Sequence, residues 1–245
     1  MSADKNGVRE VARHWKQSDY YDRAEKQDWL DPFWNEASPF LEMYRKLDVS
    51  NVVELACGHG RHTAHIIGDP SLPQPGQIVL MDVNNENVRH CRERFAGRPN
   101  IRTLRNTGMD FRPLHDGSVS TVFCFDAMVH FEYDCVIAYI RDTFRVLQKN
   151  GRALFHHSNY TDPGSFWLTN PHCRNFMSRE LFAHVALRTG FEIVDQRILN
   201  WGDGQARVDG IDCLSLIEKP STPKVIFNRP SLAHRVRNKI NRWRS

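Results

Sequence analysis

From residue 51 onward, short apolar runs alternate with stretches of helical periodicity. Residues 52–56 read as a strand, 61–67 as a helix and 78–82 as a second strand. A helix is expected from about 85 to 95, a third strand at 101–104 and a fourth at 119–126. Residues 133–147 repeat as a helix, which Asn150-Gly151 is expected to end before a fifth strand at 153–156. A further helix at 179–189 stops at Gly190, and strands follow at 191–198 and 211–218. Strands separated by helices require right-handed crossovers. The expected fold is therefore α/β, a doubly wound, mainly parallel, Rossmann-like sheet with helices on both faces. Such sheets bind ligands at the carboxyl ends of their strands.

Residues 1–48 differ in texture, being polar and rich in aromatics such as Trp15, Tyr20, Tyr21, Trp29, Phe33 and Trp34. Phe40, Met43, Tyr44 and Leu47 fall at i, i+3, i+4 and i+7, predicting an amphipathic helix over 38–47. Ser38 before Pro39 suits its N-cap and first turn. Three regions are expected: an aromatic, helical lid at 1–48, the α/β domain at 49–219, and a linker with a basic amphipathic tail at 220–245. In that tail Leu232, Val236, Ile240 and Trp243 share one helical face among arginines, a surface suited to an anionic membrane, a partner or a polyanion.

Charge sharpens this division. The 245-residue chain carries a formal +4, yet residues 229–245 hold six basic groups and no acid, so the first 228 residues net −2. The body gives no electrostatic reason to expect a nucleic-acid platform. Hydrophobic residues make up 40% and charged residues 25%, which excludes wholesale disorder. No run approaches the ~18 apolar residues of a membrane span, and the first residues lack a signal-peptide core. The six cysteines form no CxxC pair and read as reduced thiols of a cytoplasmic protein.

Candidate chemistry begins at Glu54-Leu55-Ala56-Cys57-Gly58-His59-Gly60, a strand running into a Gly-x-Gly turn that opens a helix. Glycines there permit positive φ and close approach of a ligand. Thr63 stands where a dinucleotide fingerprint has its third glycine, which argues against a nicotinamide site. Glu54 lies inside an apolar strand, where a carboxylate is costly unless paired. A cationic ligand would supply a partner; a core hydrogen bond is the alternative. Asp82 ends the second strand 22 residues after Gly60, placed to accept both ribose hydroxyls of a nucleoside or to cap the next helix. Asp110, after the third strand and beside Phe111, is placed to accept from an adenine amino group or to shape a turn.

These segments resemble the class I S-adenosylmethionine-dependent methyltransferases over roughly residues 50–219. Residues 54–60 are similar to that family's first motif, Asp82 to its ribose acid and Asp110-Phe111 to its adenine-side motif. Residues 125–131 and 144–151 resemble its fourth strand and the helix that follows. The resemblance implies a seven-stranded sheet with the last strand antiparallel and S-adenosylmethionine as cofactor. It implies cofactor contacts from Glu54, Ala56, Gly58, Gly60, Asp82, Val83, Asp110, Phe111 and Asp126. A small-molecule acceptor is expected, most simply a hydroxyl of a sugar or secondary metabolite. RNA or protein methylation through the basic tail, a catalytically silent cofactor-binding scaffold and a nicotinamide oxidoreductase are the competing readings.

A hydroxyl acceptor calls for a base near neutral pH, a role suited to histidine. His130 follows the fourth strand and His157 closes the fifth, and both are nominated; alternation sends His156 and His157 to opposite faces. No compact ligand set such as HxxxH or HExxH appears, so no metal is expected. The connection 159–177, with Asn159, Tyr160, Phe166, Trp167, Arg174 and Asn175, is long for a plain crossover and suits a ring-bearing acceptor.

Overall fold

The computed structural model describes residues 5–16, 20–166, 169, 174–202 and 204–222. The basic helix expected at 229–245, together with Trp167, Asn170, His172 and Cys173, lies outside the described residues.

Apolar runs and periodic segments fall where expected, with boundaries shifted by a few residues. Strands β1 (Asn51–Leu55), β2 (Gln77–Asp82), β3 (Ile101–Arg105), β4 (Val119–Cys124), β5 (Leu147–Ser158), β6 (Glu192–Trp201) and β7 (Val208–Glu218) form one sheet. Its order is β3-β2-β1-β4-β5-β7-β6. β3, β2, β1, β4 and β5 pair in parallel, whereas β7 runs antiparallel to both β5 and β6. Helices α5 (Arg61–Gly68), α6 (Asn85–Arg94), α7 (Tyr133–Val146) and α8 (Arg179–Thr189) make the crossovers. α8 carries both end signals in its own sequence: the Ser178 hydroxyl accepts from the Leu181 N–H at 3.0 Å, and Gly190 closes it at φ 115°.

One expectation is corrected. Asn150-Gly151 does not close α7, which ends at Val146; the chain enters β5 directly at Leu147. Asn150, at φ 63°, instead bends β5, and its N–H continues the ladder to the Lys219 carbonyl at 2.7 Å. A Cβ on Gly151 would come within 2.9 Å of the Ser120 and Gln148 carbonyls, so the bend needs glycine.

Among the described residues the N-terminal region is helical as expected, with α1 (Lys5–Lys16), α2 (Tyr20–Ala24) and α3 (Gln27–Trp34) ahead of the expected helix, which is α4 (Pro39–Tyr44). α3 and α4 pack Leu30, Phe33, Trp34, Phe40 and Tyr44 on one sheet face, against Val52, Phe123, Leu154 and Leu214. The opposite face holds Val53, Leu55, Val122, Ala153 and Phe155 under α7 and α8. Period-two alternation along each strand sorts side chains between these cores, and that sorting decides the fate of the two histidines of β5.

Candidate active site

At the carboxyl ends of β1, β2 and β4, a cleft of about 1040 Å³, part of it open to solvent, lies between the sheet and helices α1 and α2. Ala56, Gly58, Asp82, Val83, Asp126 and His130 line it, as do Val8, Ala12, Trp15, Tyr20 and Tyr21 from the N-terminal helices. The N-terminal helices meet the cleft rim at several places. Val8 sits where a Cβ on Gly108 would come within 2.4 Å. The Asn84 side-chain amide donates to the Ala12 carbonyl at 3.1 Å. The Tyr21 ring lies over Gly58, 2.6 Å from where a Cβ would be, and Trp15 packs against His130 with ring centroids 4.8 Å apart.

The end of the cleft at β1 and β2 is built mostly from backbone. Gly58 and Gly60 take φ values of 54° and 78°, a left-handed region costly to side-chain-bearing residues. Asp82 accepts from the Gly58 N–H at 3.0 Å and the Asn84 N–H at 2.8 Å. Burial nevertheless pushes its pKa up to about 6, the amide hydrogen bonds only partly opposing it. Beside it, the buried Asn106 side chain uses its oxygen on the Gly108 N–H at 3.2 Å, while its Nδ2 has no partner. An unsatisfied buried donor in a cleft wall awaits a ligand acceptor.

The end at β4 is built from side chains. Among the described residues Asp126, at φ 55°, is one of three non-glycine residues in the left-handed region, and such strain persists where surroundings over-determine it. Its N–H donates to His156 Nδ1 at 3.1 Å. The His156 proton therefore sits on Nε2, which donates to Asp212 Oδ2 at 3.1 Å. Asp212, wholly buried, also accepts from Arg174 at 2.6 and 2.7 Å and from Trp201 Nε1 at 2.5 Å. Burial alone would raise its pKa, but His156 and Arg174 hold it below the ordinary carboxylate range. The Asp126 carboxylate accepts from the Tyr20 hydroxyl and from Arg61 Nη2 at 2.6 Å. Burial is the largest influence and opposes its charge, but Arg61, His156 and the Tyr20 hydroxyl together outweigh it and hold its pKa below the ordinary carboxylate range.

Several nominated residues stand elsewhere. Glu54 is buried behind the cleft wall and accepts from the Thr63 hydroxyl at 2.5 Å, with burial raising its pKa to about 7. Its partner is thus a core hydroxyl. Phe111 is in the core, edge-on to Tyr139, and Asp110 accepts from the Arg112 N–H at 3.2 Å. Neither lines the cleft, nor does Gly60 itself, which serves by opening α5. His157 is corrected: alternation turns it toward α8, where it stacks on Phe182 at 4.0 Å and bonds the Ser215 hydroxyl at 2.8 Å. Burial lowers its pKa to about 4. His156, which shares its strand, is the one that reaches Asp126. His130 does line the cleft, and the Asn175 amide fixes its turn by donating to the His130 carbonyl at 2.8 Å.

Arg61, Tyr20, Asn106 and Asp212 were not legible as site residues, because the partners of Arg61, Tyr20 and Asp212 lie 11 to 106 positions away in the chain and Asn106 Nδ2 has none. Among the described residues no group of three His, Cys, Asp or Glu side chains is arranged to hold a metal ion, and no helix is long and apolar enough to cross a membrane.

Comparison with known proteins bears on this cleft. Residues 52–151 match the model of a family described as a methyltransferase domain. No curated protein matches the chain. Among solved structures, geranyl diphosphate C-methyltransferase from Streptomyces coelicolor A3(2), in complex with Mg2+, geranyl diphosphate and S-adenosyl-L-homocysteine, is similar at 11% identity and TM-score 0.63, covering 89% of this chain and 100% of that one. A protein from Pyrococcus horikoshii OT3 is similar at 16% identity and TM-score 0.60, covering 84% and 98%. The [4+2]-cyclase SpnF is similar at 14% identity and TM-score 0.58, covering 74% and 79%. At these identities the likeness is one of fold, and a cyclase among the relatives shows that the fold alone does not dictate the reaction. Residues 52–151 are thus similar to a methyltransferase domain, and they sit in a seven-stranded, mainly parallel sheet of the Rossmann-like methyltransferase fold.

Proposed function

We propose that this protein transfers a methyl group from S-adenosylmethionine to a hydroxyl of a small molecule, of the sugar or secondary-metabolite kind. The enclosure of the cleft carries this reading. A cleft roofed by α1 and α2, with strand ends on one side and Val8, Trp15 and Tyr20 on the other, suits small ligands, a nucleoside cofactor with a small second molecule beside it. A folded macromolecule would need that roof removed.

The residues at the β1–β2 end fit the cofactor. Asp82 retains lone pairs for two ribose hydroxyls, the unpartnered Asn106 Nδ2 suits an acceptor nitrogen of the base, and Gly58, Ala56 and Val83 leave room for close approach. When bound, the cofactor supplies a methyl group activated on a sulfonium. Asn106 replaces Asp110 as the side chain at the base. His130 is the acceptor-side histidine, facing Trp15 of the lid across the cleft.

Incubation of the purified protein with methyl-labelled S-adenosylmethionine and fractionated cell extract tests the reading. Label is expected in the low-molecular-weight fraction, in a base-stable methyl ether. Label confined to RNA or protein, or absent from every fraction, would overturn it.

A further inference from the structure

The lid offers its own hydroxyl to the β4 end of the cleft. Tyr20 donates to the Asp126 carboxylate, and Arg61 Nη2 reaches both the Tyr20 oxygen, at 3.1 Å, and Asp126, at 2.6 Å. The guanidinium is itself fixed by the Ala24 carbonyl at 3.1 Å. Behind Asp126, the His156–Asp212–Arg174 chain braces its strained backbone. A carboxylate and a guanidinium converging on one hydroxyl, both pre-positioned by buried groups, form a built receptor for a neutral O–H.

We propose that Asp126 and Arg61 form the subsite for the acceptor's hydroxyl, that the Tyr20 phenol occupies it when no acceptor is bound, and that the acceptor is an aromatic hydroxyl compound. This rests on the methyl-transfer reading above and narrows it. The choice of an aromatic over a sugar follows from the surroundings of the stand-in. Trp15 and Trp29 meet the Tyr20 ring edge-on, with centroids at 5.0 and 5.6 Å. A sugar presents hydroxyls all round and would leave most of them unpaired against such walls, each a costly loss. A flat ring with a single hydroxyl matches both the walls and the two polar partners.

Phenol, toluene and methyl glucoside serve as probes, titrated into protein saturated with S-adenosylhomocysteine. Binding is read from the NMR signals of the protein's tryptophan side chains. The variants are Tyr20→Phe, which keeps the ring but removes the competing hydroxyl, and Tyr20→Phe with Asp126→Asn. Phenol is expected to bind Tyr20→Phe about fivefold more tightly than wild type, the weight of one ordinary hydrogen bond. Adding Asp126→Asn should erase that gain, while toluene should bind all three proteins alike and methyl glucoside none. Equal phenol affinity in wild type and Tyr20→Phe would overturn the subsite. So would a gain shared by toluene, which would report only a loosened lid. Binding of methyl glucoside as tight as that of phenol would overturn the aromatic assignment. S-adenosylhomocysteine affinity, measured first, separates the two levels. If wild type does not bind it, the methyl-transfer reading falls and the subsite with it; if it binds while phenol shows no dependence on Tyr20 or Asp126, the subsite alone is refuted.

Discussion

The two ends of the cleft are made in different ways. At the β1–β2 end, recognition rests on backbone geometry: glycine φ values, amides on Asp82 and a strand-to-helix turn within ten residues of chain. At the β4 end it rests on side chains gathered from α2, α5, β4, β5, the connection after β5 and β7. A site of the first kind is written locally and tolerates change in distant residues. The second kind is a network in which each member satisfies another, so removing one strands several.

That contrast sets the sizes of the expected effects. The largest should come from Asp212→Ala. It would leave Arg174, His156 and Trp201 without their shared acceptor, and breaking a buried ion pair costs about 3–5 kcal/mol. Denaturant unfolding should show this loss, whereas S-adenosylhomocysteine affinity of the folded fraction should stay within about twofold. A stable Asp212→Ala protein would mean that the network is not the brace described.

Asp82→Ala should do the reverse. It should weaken S-adenosylhomocysteine binding by about 1–3 kcal/mol, the scale for unpaired buried polar groups, with a smaller change in stability. A pH dependence accompanies it. Because burial raises the Asp82 pKa to about 6, the carboxylate is increasingly protonated below that value and is the better acceptor of two hydroxyls above it. Affinity should therefore rise with pH through about 6 in wild type and stay flat in Asp82→Asn. A flat wild-type profile would remove Asp82 from the ribose.

The smallest difference separates two histidines. His130→Ala should lower methyl transfer without changing S-adenosylhomocysteine affinity. His157→Ala should lower the melting temperature and leave transfer per folded molecule unaltered, since its ring lies against Phe182. Equal loss of transfer in both variants would dissolve the distinction between the cleft and the α8 core.

Legibility followed the same line. The strand–helix order, the antiparallel last strand implied by the resemblance, and the Gly58–Asp82 corner were all readable, because periodicity and turn chemistry are local. Strand alternation correctly sent His156 and His157 to opposite faces but did not say which face held the site; the packing of α3 and α4 decided that. Glu54 was visible as a costly buried acid, yet its partner Thr63, one helical turn into α5, could be identified only from the way α5 packs on β1. Asp126 was legible as a polar residue at a strand end. Its links to Tyr20, 106 residues earlier, and through His156 to Asp212, 56 residues beyond that histidine, were not.

Calorimetric titration of the wild-type protein with S-adenosylhomocysteine, and separately with a nicotinamide dinucleotide, examines the cofactor assignment most directly. One molecule of S-adenosylhomocysteine should bind per chain, weakened by Asp82→Asn, and the dinucleotide should give no heat. Binding of the dinucleotide in place of S-adenosylhomocysteine would contradict it.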